Sequence, residues 1–169
     1  MRSRCYLAGP LGFTEAGRDY LRRVYIPSLA EVVEPVDPWA LATAQELAHA
    51  RREGRQRELA LEIGRRNAEA IRSCTLLAAL LDGQEIDSGT AAEVGYGAAL
   101  GLRCFGLRTD LRQHGEDGVA VNLQVEALIV ESGGAVLGSL AELVAALAAA
   151  AGQPTTAGSD VTSVVDGEM

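Results

Sequence analysis

Three carboxylates fall within a dozen residues in Leu81-Asp82-Gly83 and Asp87-Ser88-Gly89-Thr90-Ala91-Ala92-Glu93-Val94-Gly95-Tyr96. They follow an unbroken apolar run, Cys74-Thr75-Leu76-Leu77-Ala78-Ala79-Leu80-Leu81, of the kind that forms a strand buried on both faces of a parallel sheet. A turn leaving the carboxyl end of such a strand is where open α/β sheets bind ligands. Paired carboxylates there suit glycosidic-bond chemistry, in which one attacks the anomeric carbon and another serves as acid. Both also have plainer uses. Thr90-Ala91-Ala92-Glu93 has the form of a capping box, in which Glu93 would reach back to the Thr90 amide. Asp87 could cap or stabilise the Gly89 turn. The two uses of Glu93 are compatible, because a helix N-terminus favours an ionised carboxylate.

The elements that must hold these groups alternate between strand and helix. Strands are predicted at Cys5 to Ala8, Val32 to Val36, 74–81, Cys104 to Leu107 and Ala135 to Leu137. Between them lie a helix capped by Thr14 with an apolar face of Leu21, Val24, Tyr25 and Leu29, a helix from Trp39 to about Arg52, and one from about Arg55 to Arg72. Further helices run from Thr90 to Leu100, from Asn122 to about Val130, and from Ser139 to about Ala151. This predicts one α/β domain over 1–151, a doubly wound, flavodoxin-like (Rossmann-like) five-stranded parallel sheet with helices on both faces. Strand order 2-1-3-4-5 would bring the ends of strands one and three together, so that Tyr6 to Phe13 faces Asp82 to Glu93 across one crevice. The Arg- and Glu-rich stretch 51–66 reads as a solvated helix face, and the Pro-, Thr-, Ser- and Gly-rich stretch 152–169 as a disordered tail.

Composition narrows the ligand. A net charge of −8 over 169 residues argues against nucleic-acid backbone binding and favours a small neutral or weakly charged partner. Cys5, Cys74 and Cys104 lie in or beside apolar runs without metal-ligand spacing, and His49 and His114 are isolated, so reduced core thiols and no metal are expected. Met1-Arg2-Ser3-Arg4 leads directly into a strand without an apolar leader, and no apolar stretch is long enough for a bilayer span, which predicts a cytoplasmic protein. The first turn, Gly9-Pro10-Leu11-Gly12, does not follow the dinucleotide fingerprint, and no cofactor is expected.

Four segments in register, Tyr6-Leu7-Ala8-Gly9-Pro10, Leu81-Asp82-Gly83, Asp87 to Tyr96 and Asn122-Leu123-Gln124, resemble the nucleoside 2-deoxyribosyltransferases, from about residue 3 to about residue 130. The resemblance implies the same fold, a 2′-deoxynucleoside and a free nucleobase as substrates, and a place in nucleotide salvage. It matches Glu93 to the nucleophile, Tyr6 to the tyrosine that orients it, and Asp87 to a carboxylate contacting the sugar hydroxyls or the leaving base. Gly9, Pro10 and Phe13 fall in the first ligand loop, and Asp82 and Gly89 on the acidic turn. Asn122, otherwise a simple helix cap, matches a residue that reaches a neighbouring subunit's site, which implies a homo-oligomer. Three positions depart from the pattern. Asn67 stands where an Asp often serves as acid for the base, Trp39 falls near a base-pocket Gln, and Gln124 stands where many members carry Met. The first loop also lacks the Ser/Arg-rich sequence with which related monophosphate hydrolases hold a 5′-phosphate, so nucleosides are expected over nucleotides. Deoxyribosyl transfer through a glycosyl-Glu93 ester is the leading expectation. Water finishing the same reaction would give an N-glycoside hydrolase, and a non-catalytic nucleoside sensor or a purely structural partner protein are the alternatives from other classes.

Overall fold

The computed structural model describes residues 2–112 and 115–152. Five parallel strands, β1 (Arg4–Ala8), β2 (Glu34–Val36), β3 (Leu76–Leu80), β4 (Arg103–Leu107) and β5 (Val136–Leu137), form one sheet in the expected order β2-β1-β3-β4-β5. Tyr6 pairs with Val36 on one side and Leu77 on the other. The strands alternate faces, as a period of two requires. Cys5, Leu7, Leu76, Ala78, Leu80 and Leu107 face one core, whereas Tyr6, Ala8, Leu77, Ala79 and Cys104 face another. All of β3 is buried, which is why its sequence is apolar without alternation.

The first core is covered by α1 (Glu15–Tyr20), α2 (Ile26–Ala30) and α7 (Leu140–Ala151); the second by α4 (Gln56–Arg72), α5 (Ser88–Ala99) and α6 (Leu123–Glu131). Thr14 caps α1 as predicted, its Oγ1 accepting from the Gly17 amide at 3.0 Å. Between α1 and α2 the chain winds as one π-helical turn, Leu21–Tyr25. The wider turn rotates Val24 off the apolar face, leaving it 40% exposed while Leu21, Tyr25 and Leu29 stay buried.

The helix expected from Trp39 is two elements. Asp37 caps a 3₁₀ turn at Pro38–Ala40, accepting from the Trp39 amide at 3.0 Å. A new helix, α3 (Ala44–Arg52), then starts from a capping box in which Thr43 and Glu46 bond each other's backbone amides. The charged stretch that follows is paired within α4, as in Arg65–Glu62, and across to α3, where Arg66 meets Glu46 at 2.9 Å. The second and fifth strands are shorter than expected, and the final helix buries Leu143, Leu147 and Ala150.

Cys5, Cys74 and Cys104 are free and buried, and burial pushes the Cys104 thiol up to about 11. Among the described residues no helix is long and apolar enough to cross a membrane. His114 and, from residue 153, the expected disordered tail lie outside the described residues.

Leu77 is fully buried at the centre of the sheet. Leu77→Ala should therefore lower the unfolding free energy by about 2–5 kcal/mol, measured by urea titration.

Candidate active site

The ends of β1 and β3 lie side by side, and Tyr6 from the first strand meets Glu93 from the helix that follows the second. Tyr6 is fully buried on β1, with its ring among Val36, Ile71, Leu77 and Val94. Its hydroxyl is the exception to that apolar environment: Oη donates to Glu93 Oε1 at 2.6 Å. Tyr6 is thus a core aromatic whose hydroxyl fixes the Glu93 carboxylate. Burial and the neighbouring Glu93 charge both push its pKa upward, so it stays a donor.

The helix carrying Glu93 begins two residues earlier than the sequence suggested, and this changes the electrostatics. Asp87, not Thr90, is the cap of α5; its Oδ2 accepts from the Thr90 amide at 2.9 Å and from Thr90 Oγ1 at 3.2 Å. The plainer use of Asp87 is therefore realised, while the capping-box role of Glu93 is not. Glu93 stands in the second turn, half-buried, bonded to Tyr6 instead of the backbone. Nor do amides of the helix terminus donate to it, as the expected ionising effect of that terminus would favour. Burial raises its pKa above the ordinary 4.5, Tyr6 pulls it back, and the Asp87 charge raises it again.

Gly9, at the end of β1, lies against β3, where an added Cβ would stand 3.1 Å from Leu80 Cβ. Pro10–Phe13 then forms a 3₁₀ turn that Trp39 packs against. Trp39 Nε1 donates to the Gly9 carbonyl at 3.3 Å, and Phe13 meets the indole edge-on with centroids 4.6 Å apart. Gly12 leaves room for the indole, since a Cβ there would fall 1.9 Å from Trp39 Cδ2. Both aromatic rings remain open to solvent, Phe13 at 69% and Trp39 at 39%.

The acidic turn differs from a free ligand loop. Both oxygens of Asp82 are engaged: Oδ1 accepts from the Thr109 and Asp110 amides at 2.6 and 2.9 Å, and Oδ2 from Thr109 Oγ1 at 2.7 Å. Gly83 adopts φ +128°, a conformation that favours glycine, whereas Gly89 lies within the first turn of α5. Asn67, on the inner side of α4, has its Oδ1 sealed from solvent without a hydrogen-bond partner. Asn122 caps α6, its Oδ1 accepting from the Gln124 and Val125 amides at 3.1 and 3.4 Å, and Gln124 is exposed. Neither is hydrogen-bonded to the Tyr6–Glu93 pair.

A sequence profile for the family described as nucleoside 2-deoxyribosyltransferase matches residues 5–140. The chain belongs to that family. All the site residues above fall within the match. No curated protein matches the sequence significantly. Among solved structures, a conserved protein of Enterococcus faecalis V583 is similar at 25% identity, covering 87% of this chain and 98% of its own, with a TM-score of 0.64. The 2-deoxyribosyltransferase of Bacillus psychrosaccharolyticus shares the fold at 15% identity and TM-score 0.55, covering 84% and 90%. The CMP N-glycosidase BcmB of Clostridium botulinum does so at 17% and 0.51, covering 84% and 94%.

Two features of this nucleoside 2-deoxyribosyltransferase family member were not singled out from the sequence. Arg72 lies over the Tyr96 ring at 5.3 Å, and Arg108 with Thr109 and Asp110 ties down the acidic turn. A charged residue directly after the apolar strand Cys104 to Leu107 was the available signal for the second.

Trp39 is the only tryptophan in the chain. Gly12→Ala should drive the indole out of its seat, shifting the fluorescence maximum to the red.

Proposed function

We propose that this enzyme transfers 2-deoxyribose between nucleobases with Glu93 as the nucleophile. The observation that carries the proposal is the 2.6 Å bond from the Tyr6 hydroxyl to Glu93 Oε1. Membership of the family supports an enzyme acting on N-glycosidic bonds, by transfer or by hydrolysis, with nucleosides and nucleobases as its small-molecule partners.

In the proposed reaction one Glu93 oxygen forms a bond to C1′ while the C1′–N bond breaks, its electron pair leaving with the base. The donor bond from Tyr6 fixes one oxygen and leaves Oε2 for the attack. A second base then attacks C1′ from the vacated side and returns the carboxylate, so that two inversions give retention. The absent 2′-hydroxyl lowers the cost of the oxocarbenium-like transition state. Burial, which raises the Glu93 pKa, also makes the ionised carboxylate a poorly solvated and therefore more reactive nucleophile.

Asp87 holds α5 with Oδ2 and has its other oxygen outside those bonds, available for a sugar hydroxyl or for the proton of the leaving base. Asn67 cannot supply a proton as an acid. The exposed Trp39 and Phe13 offer ring faces for stacking. Pro10–Phe13 contains no Lys or Arg, and the neighbouring Arg18 is engaged with the Gly12 carbonyl at 3.0 Å, an arrangement that supports a nucleoside over a 5′-phosphorylated substrate.

Chromatography of the protein incubated with deoxyinosine or thymidine plus free adenine should show deoxyadenosine, and Glu93→Ala should abolish it by several orders of magnitude. Free base without a new nucleoside would instead establish hydrolysis, and unchanged substrate would defeat the proposal in favour of a sensor.

The pH profile gives a separate check. Glu93 must be ionised to attack, and its pKa is raised above 4.5, so kcat/KM should fall with decreasing pH along a limb displaced upward from the ordinary carboxylate range. Tyr6→Phe removes the donor and should move the limb further up. Asp87→Asn keeps a cap-forming side chain but removes the neighbouring charge, and should move it down.

A further inference from the structure

Arg108 directly follows β4, at the end of the sheet that carries the site. Leu107 points into the core beneath α1, α2 and α7, so Arg108 turns to the opposite face, the one shared by Tyr6 and Val94. Its side chain is withdrawn from solvent, the residue being 9% exposed. Among the described residues it takes part in none of the ion pairs. The buried guanidinium is held by carbonyl groups instead. Nη1 donates to Leu81 O at 2.5 Å and Gly83 O at 2.8 Å, Nη2 donates to Arg112 O at 2.8 Å, and Nε has no partner.

The same two loops are also tied in the opposite sense. Asp82 accepts from the Thr109 and Asp110 amides, and Asp110 accepts from the Gly83 amide at 3.3 Å while pairing with Arg112. A cation from the second loop thus holds the carbonyls of the first, and a carboxylate from the first holds the amides of the second. A buried charge without a counter-charge is costly to keep. A rigid, planar fork is nevertheless the group that can bind carbonyls from two segments at once, which a lysine cannot copy. The turn so fixed leads through Gly83, with φ +128°, to Asp87 and the start of α5.

We propose that Arg108, with Asp82 as its counterpart, is a positioning residue that clamps the turn between β3 and α5 and thereby sets Asp87 against Glu93. This rests on the function proposed above and gives Asp82 a positioning role in place of substrate contact.

The test combines base-exchange kinetics with backbone hydrogen exchange for Arg108→Lys, Arg108→Met, Arg108→Ala and Asp82→Asn, at a temperature where each variant is folded. Misplacing the turn should lower kcat/KM on the order of 100-fold. It should also speed exchange at the Gly83, Thr109 and Asp110 amides, while amides of β1 and β3 remain protected. Added guanidinium should restore part of the activity of Arg108→Ala. If Arg108→Met fails to fold, Arg108→Lys, which keeps the charge and the stem, decides. Wild-type kcat/KM with wild-type exchange in Arg108→Lys would overturn the proposal. So would lost stability with kcat and KM unchanged in the folded fraction. A wild-type protein that turns over no deoxynucleoside would defeat the function proposed above. Exchange at the three amides would then still decide the clamp, supporting it if Arg108→Lys releases them and overturning it if they stay protected.

Discussion

A tyrosine hydroxyl buried in an apolar core, with a carboxylate as its acceptor, organises the rest of this molecule. Tyr6 occupies a central strand and Glu93 the second turn of a helix on the second core, and their 2.6 Å bond is the polar link through that packing. Its cost is offset by geometry. A buried carboxylate is destabilised as an anion, and one strong donor recovers part of that loss while leaving the second oxygen unencumbered. The same balance tunes the carboxylate, because burial and Asp87 press its pKa upward against the pull of Tyr6. For a proposed nucleophile, partial desolvation raises reactivity, and the tyrosine limits how far the pKa can climb.

Other features of the fold serve that pair. The β2-β1-β3-β4-β5 order brings Tyr6 beside Leu77, and an apolar β3 lets helices pack on both sheet faces. Asp87 fixes where α5 begins, and hence where Glu93 projects from its second turn. On the far side, Asp82 and Arg108 join the loops following β3 and β4 by hydrogen bonds in both directions. On the near side, Trp39 seats the Gly9–Phe13 segment through one hydrogen bond and an edge-on ring contact.

The sheet was legible because its signal is hydrophobic burial: an unbroken run for β3, and Gly- and Pro-marked turns at the strand ends. The helix from Thr14 was legible in extent but not in phase, since a π-turn depends on tertiary packing and leaves no mark in the spacing of Leu21, Val24, Tyr25 and Leu29. The Trp39 segment misled because Pro38 can open either an α-helix or a 3₁₀ turn, and the later Thr43–Glu46 box decides between them. At the site, Tyr6, Asp87 and Glu93 were legible by type and spacing. Two caps competed for α5, however, and only the packed structure shows Asp87 taking the role, which frees Glu93 from it. Arg108 was marked only by its charge directly after an apolar strand, because its partners are backbone carbonyls that no side-chain pattern identifies.

A bond from Glu93 to the sugar is tested most directly by mass spectrometry. Protein mixed with a deoxynucleoside in the absence of acceptor base, quenched rapidly in acid, should gain the mass of one deoxyribosyl group. Peptide mapping should place that mass on the segment containing Glu93, and Glu93→Ala should not acquire it. An active enzyme that never carries the adduct, or carries it on another residue, would contradict the central claim.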